Sequence, residues 1–296
     1  MARRSESLGM PLVSVIVLSH NKVEYTRRCF QGVLQSSYRP IELLAADNGS
    51  TDATPALYAS FATEARAAGI TFRPTRHETN LGAVTGRNLA LEQAVGDYVV
   101  FLDNDVVPRT RSWLEGLMGA LAADKGVGIV GPKLVYPVPP HLIQFAGGAV
   151  TPTGWVQFCG RGEPRDAEAF NAPREAQCLI SACWMMPWTL YHELGPLDEA
   201  YNPLQFEDID YCYRARHAGY RVLYFPRVEM YHFENVTSAD TPQINYTYVT
   251  IKNGMRFKKK WRFMFEKEGG PADKDLHWKE IEKHDLAEIG ELEMTE

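Results

Sequence analysis

Gly96-Asp97-Tyr98-Val99-Val100-Phe101-Leu102-Asp103-Asn104-Asp105 is the stretch that decides how this chain folds. Tyr98 to Leu102 is an apolar run of strand length, and it ends abruptly in two carboxylates and an amide. Such groups are costly to bury without partners, so a buried strand here delivers acid to a surface. Two carboxylates one residue apart at a strand end suit a hard divalent cation, Mg²⁺ or Mn²⁺, shared with a phosphate-bearing ligand. The same residues also fit a strand followed by an Asp-rich turn, since Asp and Asn are ordinary turn residues.

Working outward, Val13 to Leu18 is continuous and largely β-branched, the pattern of a strand buried on both faces in a parallel sheet. It ends at Ser19-His20-Asn21. Tyr25, Cys29 and Val33, with Phe30 and Leu34, make one apolar helical face. Ile41 to Ala46 reads as a second strand, closed by Asp47-Asn48-Gly49-Ser50-Thr51-Asp52. Thr54 to Ala68 reads as a helix, Ile70 to Phe72 as a short third strand, and Gly82 to Val95 as the helix leading into the opening run. This β-α-β-α-β-α-β rhythm predicts an α/β fold with a doubly wound, mainly parallel sheet and ligands at the carboxyl ends of its strands. Asn21, Asp47, Asp52, Asp103 and Asp105 all fall just past predicted strand ends and should line one crevice. Each alone reads as well as a cap or turn residue; only one edge of a sheet would collect them all.

The totals exclude several classes. The 296 residues are 45% hydrophobic and 23% charged, ordinary for a globular chain with a sizeable core. The net charge of −6 is uneven, because Glu266 to Glu296 alone carries 11 acidic and 4 basic residues while the remainder is nearly neutral. General nucleic-acid binding would need a basic face across the domain and is not expected. Five cysteines without Cys-x-x-Cys spacing argue for neither a disulfide framework nor a zinc site, and a reducing cytoplasm is the expected location. No apolar run reaches the length of a membrane span, so any contact with a membrane is expected at its surface, on the inner face.

Four segments in order, Val13 through Asn21, Ala46 through Asp52, Asn80-Leu81-Gly82 with Gly86-Arg87-Asn88, and Leu102 through Asp105, resemble the nucleotide-binding half of family 2 glycosyltransferases. The resemblance implies a GT-A fold, with a Rossmann-like nucleotide-binding half and a smaller mixed acceptor-binding half. It implies inverting transfer of a sugar from a nucleotide-diphosphate sugar to a hydroxyl, assisted by Mn²⁺ or Mg²⁺. Carried onto this chain, Asp47 contacts the base or ribose, with Ser19, Asn21, Asp52 and Asn104 around the nucleotide. Arg87 lies near the base and diphosphate, Asp105 binds the metal, and Asp103 sits close to the ribose or the metal. The segments 120–150 and 178–232, with phrases such as Val127-Gly128-Ile129-Val130-Gly131-Pro132-Lys133-Leu134, are most similar to bacterial rhamnosyltransferase-like members.

The second half reads as follows. Trp113 to Leu121 is an expected helix and Val127 to Val135 another strand. From Tyr136 to Gln177 the chain is rich in Pro and Gly, and loop with short antiparallel strands is expected; Arg161 to Ala176 is the expected mobile segment, and no chemistry is assigned there. Ile209, Cys212 and Tyr213 fit a helix whose first turn carries Glu207, Asp208 and Asp210. Three acids at a helix start are favoured by its dipole and fit plain capping. They also resemble the family's Glu-Asp acceptor motif, whose carboxylate takes the proton of the attacking hydroxyl. On that resemblance Asp208 is the expected base, Glu207 the second choice, and Asp210 a structural or orienting partner. Tyr231-His232 followed by Ser238 resembles the family's C-terminal His motif, which would place His232 on the metal beside Asp105 and Asp103.

Lys252 to Phe265 mixes Lys and Arg with Met, Phe and Trp. It fits first a terminal helix packed by one face with a solvated basic face; it also fits a surface helix touching anionic lipid, as would suit a lipid-linked acceptor, or a segment holding the donor diphosphate. Trp278 to Leu292 reads as a weak helix or as disordered. The expected organisation is an N-terminal arm (1–10), one domain over 11–265 divided into a nucleotide-sugar half (11–107) and an acceptor half (108–265), and an acidic tail (266–296). Expected partners are a nucleotide sugar and a glycan, lipid-linked or other hydroxyl acceptor. The rivals are a nucleotidyltransferase, for which Ser19-His20-Asn21-Lys22 is a poor phosphate loop, and a non-catalytic nucleotide-sugar-binding protein of the same fold.

Overall fold

Unbroken burial along β1 (Val13–Ser19), relieved only at Leu18, makes this strand the centre of the first half. It is followed by α1 (Val23–Leu34), β2 (Ile41–Asn48), α2 (Thr54–Ala67), β3 (Ile70–His77), α3 (Ala83–Leu91) and β4 (Tyr98–Asp103). The computed structural model describes residues 9–234, 236, 244–282, 284 and 286–296. Strands β1 to β4 run parallel in the spatial order β3-β2-β1-β4. The register sets Ser19 level with Asp47, and Leu18 level with Asp103, so the acid-tipped strand ends share one edge.

Why these segments take these forms follows from local chemistry. The inner face of α1 presents Cys29, Phe30 and Val33, and Phe30 packs on Tyr58 and Phe61 of α2 and Phe72 of β3 at ring-centroid distances of 4.7–5.9 Å. Gly32 lies where a Cβ would stand 2.6 Å from Pro108, so the close approach of α1 to the chain just past β4 requires glycine. Between β1 and β2 the buried Ser14 donates to Glu42, whose carboxylate also takes Arg73 and the Val95 N–H, which satisfies a polar pair inside the sheet.

The second half extends the same sheet. It comprises β5 (Val106–Pro108), α4 (Trp113–Ala123), β6 (Val127–Val135), β7 (Ile143–Phe145), β8 (Gly148–Val150), β9 (Val156–Phe158), β10 (Arg174–Glu175), β11 (Cys183–Pro187), α5 (Trp188–Leu194), α6 (Glu207–His217), β12 (Arg221–His232) and α7 (Tyr246–Phe265). Strand β11 runs antiparallel between β4 and β6, and β12 lies parallel to β6 beyond it. The expected doubly wound, mainly parallel sheet is therefore present, with mixed strands on the acceptor side.

Three expectations are corrected. Strand β3 extends to His77 rather than ending at Phe72, and it passes through Pro74, which is tolerated because β3 is the sheet edge. Helix α3 stops at Leu91, short of Val95. Over Trp278–Leu292 the described residues form one 3₁₀ turn, Leu286–Glu288, rather than a longer helix. This stretch crosses the body instead, where Arg161 donates to the Lys279 carbonyl and Arg28 to those of Ile289 and Gly290. Of the Arg161–Ala176 segment, Arg161 pairs with Glu234 and Arg165 with Glu229, while Arg174 and Glu175 pair with β12.

Candidate active site

At the carboxyl edge of the sheet a cavity of about 370 Å³ is lined from both halves of the chain, including Arg87, Asp103, Asp105, Asp208 and His232. Its floor is the opening stretch. Strand β4 ends at Asp103, the chain turns over Asn104, and β5 begins at Val106, so Asp103 and Asp105 face one space. Asn104 secures the turn by donating to Thr26 of α1 at 3.0 Å.

The third candidate metal ligand arrives through strand pairing. β12 is twelve residues long, and its last residue, His232, pairs with Val106 of β5. That register brings His232 Nε2 to 3.5 Å from Asp105 Oδ1, and the Phe233 N–H donates to the Asp105 carbonyl. Asp103, Asp105 and His232 each offer a ligand atom within 4.8 Å of the others. Gln144 Oε1 lies 2.7 Å from His232 Nδ1. With the proton on Nδ1, donated to that oxygen, Nε2 presents its lone pair to the two carboxylates. Burial alone would depress the imidazole, but Asp105 and Asp103 outweigh it and hold His232 above its ordinary value. Two carboxylates and one imidazole make a donor set that fits Mn²⁺.

Arg87 links this floor to the opposite wall. It sits on α3, whose start is fixed because Gly82 has φ +86° and a Cβ there would stand 2.3 Å from Asn202 Oδ1. The Ala83 N–H donates to the Pro203 carbonyl at 2.6 Å, so the loop before α6 is clamped to the start of α3. One guanidinium nitrogen of Arg87 pairs with Asp103 and the other lies 3.0 Å from Glu207 Oε1. Burial, with the neighbouring Asp208 carboxylate, pushes Glu207 up to about 8 against the pull of Arg87. Glu207 Oε2 is buried with no hydrogen-bond partner among the described residues.

Asp208, next on α6, is half-buried and faces the cavity. Its carboxylate accepts the Ser181 and Ile209 N–H groups at 3.0 and 2.7 Å, which fixes its direction, while burial raises its pKa. Asp210 is fully buried and does something else: it accepts from Tyr201, Trp261 and Lys260 and ties α6 to α7. The residues just before α6 are strained, since Gln205 and Phe206 have φ of 76° and 72°, a region that costs non-glycine residues about 1–3 kcal/mol each. Asn253 of α7 holds this loop by donating to the carbonyls of Tyr201, Leu204 and Gln205 at 2.8, 2.8 and 3.2 Å.

The sequence-derived candidates divide accordingly. Arg87, Asp103, Asn104, Asp105, Glu207, Asp208 and His232 line the cavity. Ser19, Asn21, Asp47 and Asp52 lie beside it. Ser19 is buried against Tyr58 and Thr26. Asn21 accepts the Thr51 and Asp52 N–H groups, and Asp52 accepts that of Val23, so these two staple the strand-end loops together. Asp47 accepts the Ser50 N–H, and its other oxygen has no hydrogen bond among the described residues but lies 3.6 Å from Arg76. Ser238 lies outside the described residues. Gln144 and Asn253 were not found from the sequence: a Gln in a Pro- and Gly-rich stretch and an Asn inside a basic helix carry no local signal.

Comparison with known proteins places this geometry. The model of glycosyl transferase family 2 matches residues 14–192. An uncharacterized protein of Sinorhizobium fredii is 28% identical over 243 residues, covering 79% of this chain but 26% of that protein. The chain thus spans about a quarter of that relative. The N-acetylglucosaminyl-diphospho-decaprenol L-rhamnosyltransferase of Mycobacterium tuberculosis is 24% identical over 249 residues, covering 78% of this chain and 79% of that protein. Among solved structures, GalNAc-T7 with UDP, GalNAc and Mn²⁺ matches with a TM-score of 0.68 at 16% identity, covering 86% of this chain and 50% of that one.

Proposed function

The chain belongs to glycosyl transferase family 2 and has its GT-A fold, and from that premise we propose that it moves a sugar from a nucleotide-diphosphate sugar to an acceptor hydroxyl with inversion. The observation that carries this reading is Arg87, which joins Asp103 on the metal side to Glu207 on the acceptor side of one cavity. The whole of residues 11–265 serves as one transferase domain, with 11–107 receiving the donor and 108–265 the acceptor.

Asp103, Asp105 and His232 would hold a divalent cation, and GalNAc-T7, similar in fold, is known with Mn²⁺ and UDP. When bound, that cation would supply positive charge for a departing diphosphate, which Asp103, Asp105 and Asp208 would otherwise repel. Arg87 has both nitrogens engaged by carboxylates and holds the two walls at a fixed separation. The Asp47 oxygen that makes no hydrogen bond among the described residues and Arg76, 3.6 Å from it, offer an acceptor and a donor for the base or ribose. Asp208, aimed by two N–H groups and raised by burial, takes the proton of the acceptor hydroxyl as its oxygen bonds to the anomeric carbon and the bond to the diphosphate breaks on the opposite face. Glu207, held by Arg87, positions the guanidinium. The Mycobacterium tuberculosis relative is named for a lipid-diphosphate acceptor, and this supports an acceptor of that class here.

A thermal-shift screen of nucleoside diphosphates and their sugars with Mn²⁺ tests the reading, because stabilisation follows ligand affinity. One base and sugar should stand apart, and that donor should be consumed with a hydroxyl acceptor. Binding with neither transfer nor donor hydrolysis in any acceptor pool would make the chain a nucleotide-sugar-binding protein instead.

A further inference from the structure

Helix α7 presents two faces of different character. Its inner face, Val249, Asn253, Gly254, Phe257, Trp261 and Phe265, is buried against the domain. Its outer face carries Tyr248, Ile251, Met255 and Phe263 at 63, 58, 68 and 51% exposure. These are half of the eight large apolar side chains that stand exposed among the described residues. Interleaved with them are Lys252, Arg256 and Lys259, also exposed and in no ion pair among the described residues. The helix holds six Lys and Arg residues and no Asp or Glu. Exposed apolar groups at helical spacing, set among unpaired cations, match the boundary between acyl chains and anionic headgroups.

The same helix borders the site. Tyr246 and Thr250, one turn apart, line the cavity, and the exposed face continues from there to Phe263, about 20 Å along the axis at 1.5 Å per residue. We propose that the outer face of α7 is a docking surface for an anionic phospholipid bilayer, which sets the cavity mouth at headgroup level. It rests on the transferase reading only for the consequence that a lipid-diphosphate acceptor reaches Asp208 without leaving the membrane. A second copy of the chain is disfavoured as occupant, because pairing this face with itself would oppose cation to cation.

Co-sedimentation of the full chain with phosphatidylcholine vesicles, with and without about 30% phosphatidylglycerol, tests the proposal in the absence of any donor. Binding should require the anionic lipid and weaken with salt. Lys252→Glu with Lys259→Glu should lower partitioning by more than about 25-fold, taking about five-fold per cation removed. Ile251→Ser with Met255→Ser should abolish the part that survives high salt. Both pairs are exposed, and unchanged melting would show that they fold. Equal binding to neutral vesicles, no binding to either, or binding indifferent to both double variants would overturn the proposal. So would a dimer by light scattering that Ile251→Ser with Met255→Ser disperses. Since no donor is present, failure here leaves the transferase reading standing, and vesicle binding by a chain without transfer activity would refute that reading alone.

Discussion

Arg87→Met removes the cation between the half-buried Asp103 and the buried Glu207 while keeping an unbranched side chain. Above a pH of about 8, where Glu207 is ionised, a unit charge pair at the 3.0 Å separation of Arg87 and Glu207 is worth roughly 5 kcal/mol at an effective dielectric near 20. Desolvation of Arg87, which is buried, offsets part of this, and removing one partner of a buried pair costs about 3–5 kcal/mol. For a chain of this size that is a fall in Tm of about 5–8 °C. Differential scanning fluorimetry at a pH of about 9, where Glu207 carries its charge, reads it directly. Adding Glu207→Gln to Arg87→Met should restore at least about 1 kcal/mol, because the uncompensated charge is then gone. Arg87→Lys should fall between, since a point charge cannot grip both carboxylates as a planar fork does. An Arg87→Met chain melting within about 2 °C of the wild type, or a double variant that loses the full sum of the two single losses, would refute the bridging role.

Further outcomes follow from the same geometry. Glu207 has a folded-state value of about 8 against an ordinary 4.5, so the folded chain binds the extra proton between these values and stability falls as pH rises from about 4.5 to about 8. Urea unfolding across that range should show the decline, and Glu207→Gln should flatten it; an unchanged slope would assign the decline elsewhere. Gln144→Leu should weaken Mn²⁺ binding, measured calorimetrically with a nucleoside diphosphate present, by about 10–100-fold, because His232 loses the partner that fixes its proton on Nδ1. Asn253→Ala leaves three carbonyls without their donor and should cost about 2–4 kcal/mol, with a larger rise in KM for the acceptor than for the donor.

Much of this site was legible because its chemistry sits at strand ends. Tyr98 to Asp103 announces both a buried strand and an acidic tip, and the parallel register then carries the rest of the edge to the same place. Glu207 and Asp208 were legible as acids at a helix start, although only the cavity shows that the first is locked by Arg87 and the second is open. For Asn21 and Asp52 the sequence leaves two readings open, because a polar side chain at a strand end satisfies a neighbouring loop as readily as a ligand, and here each accepts backbone N–H groups. Gln144 and Asn253 were not legible, since each acts across long sequence separations through contacts that no local period records. His232 needed both halves, a motif that named it and a strand pairing that placed it beside Asp105.

The central claim is that Asp208 is the base while the donor site stands without it. Asp208→Asn, nearly isosteric and still able to accept from the Ser181 N–H, should bind nucleoside diphosphate and Mn²⁺ within about three-fold of the wild type, while the rate of transfer falls by about 10²–10⁴. Transfer retained above about a tenth of the wild-type rate, with Glu207→Gln the more damaging change, would move the base to Glu207 and contradict the account.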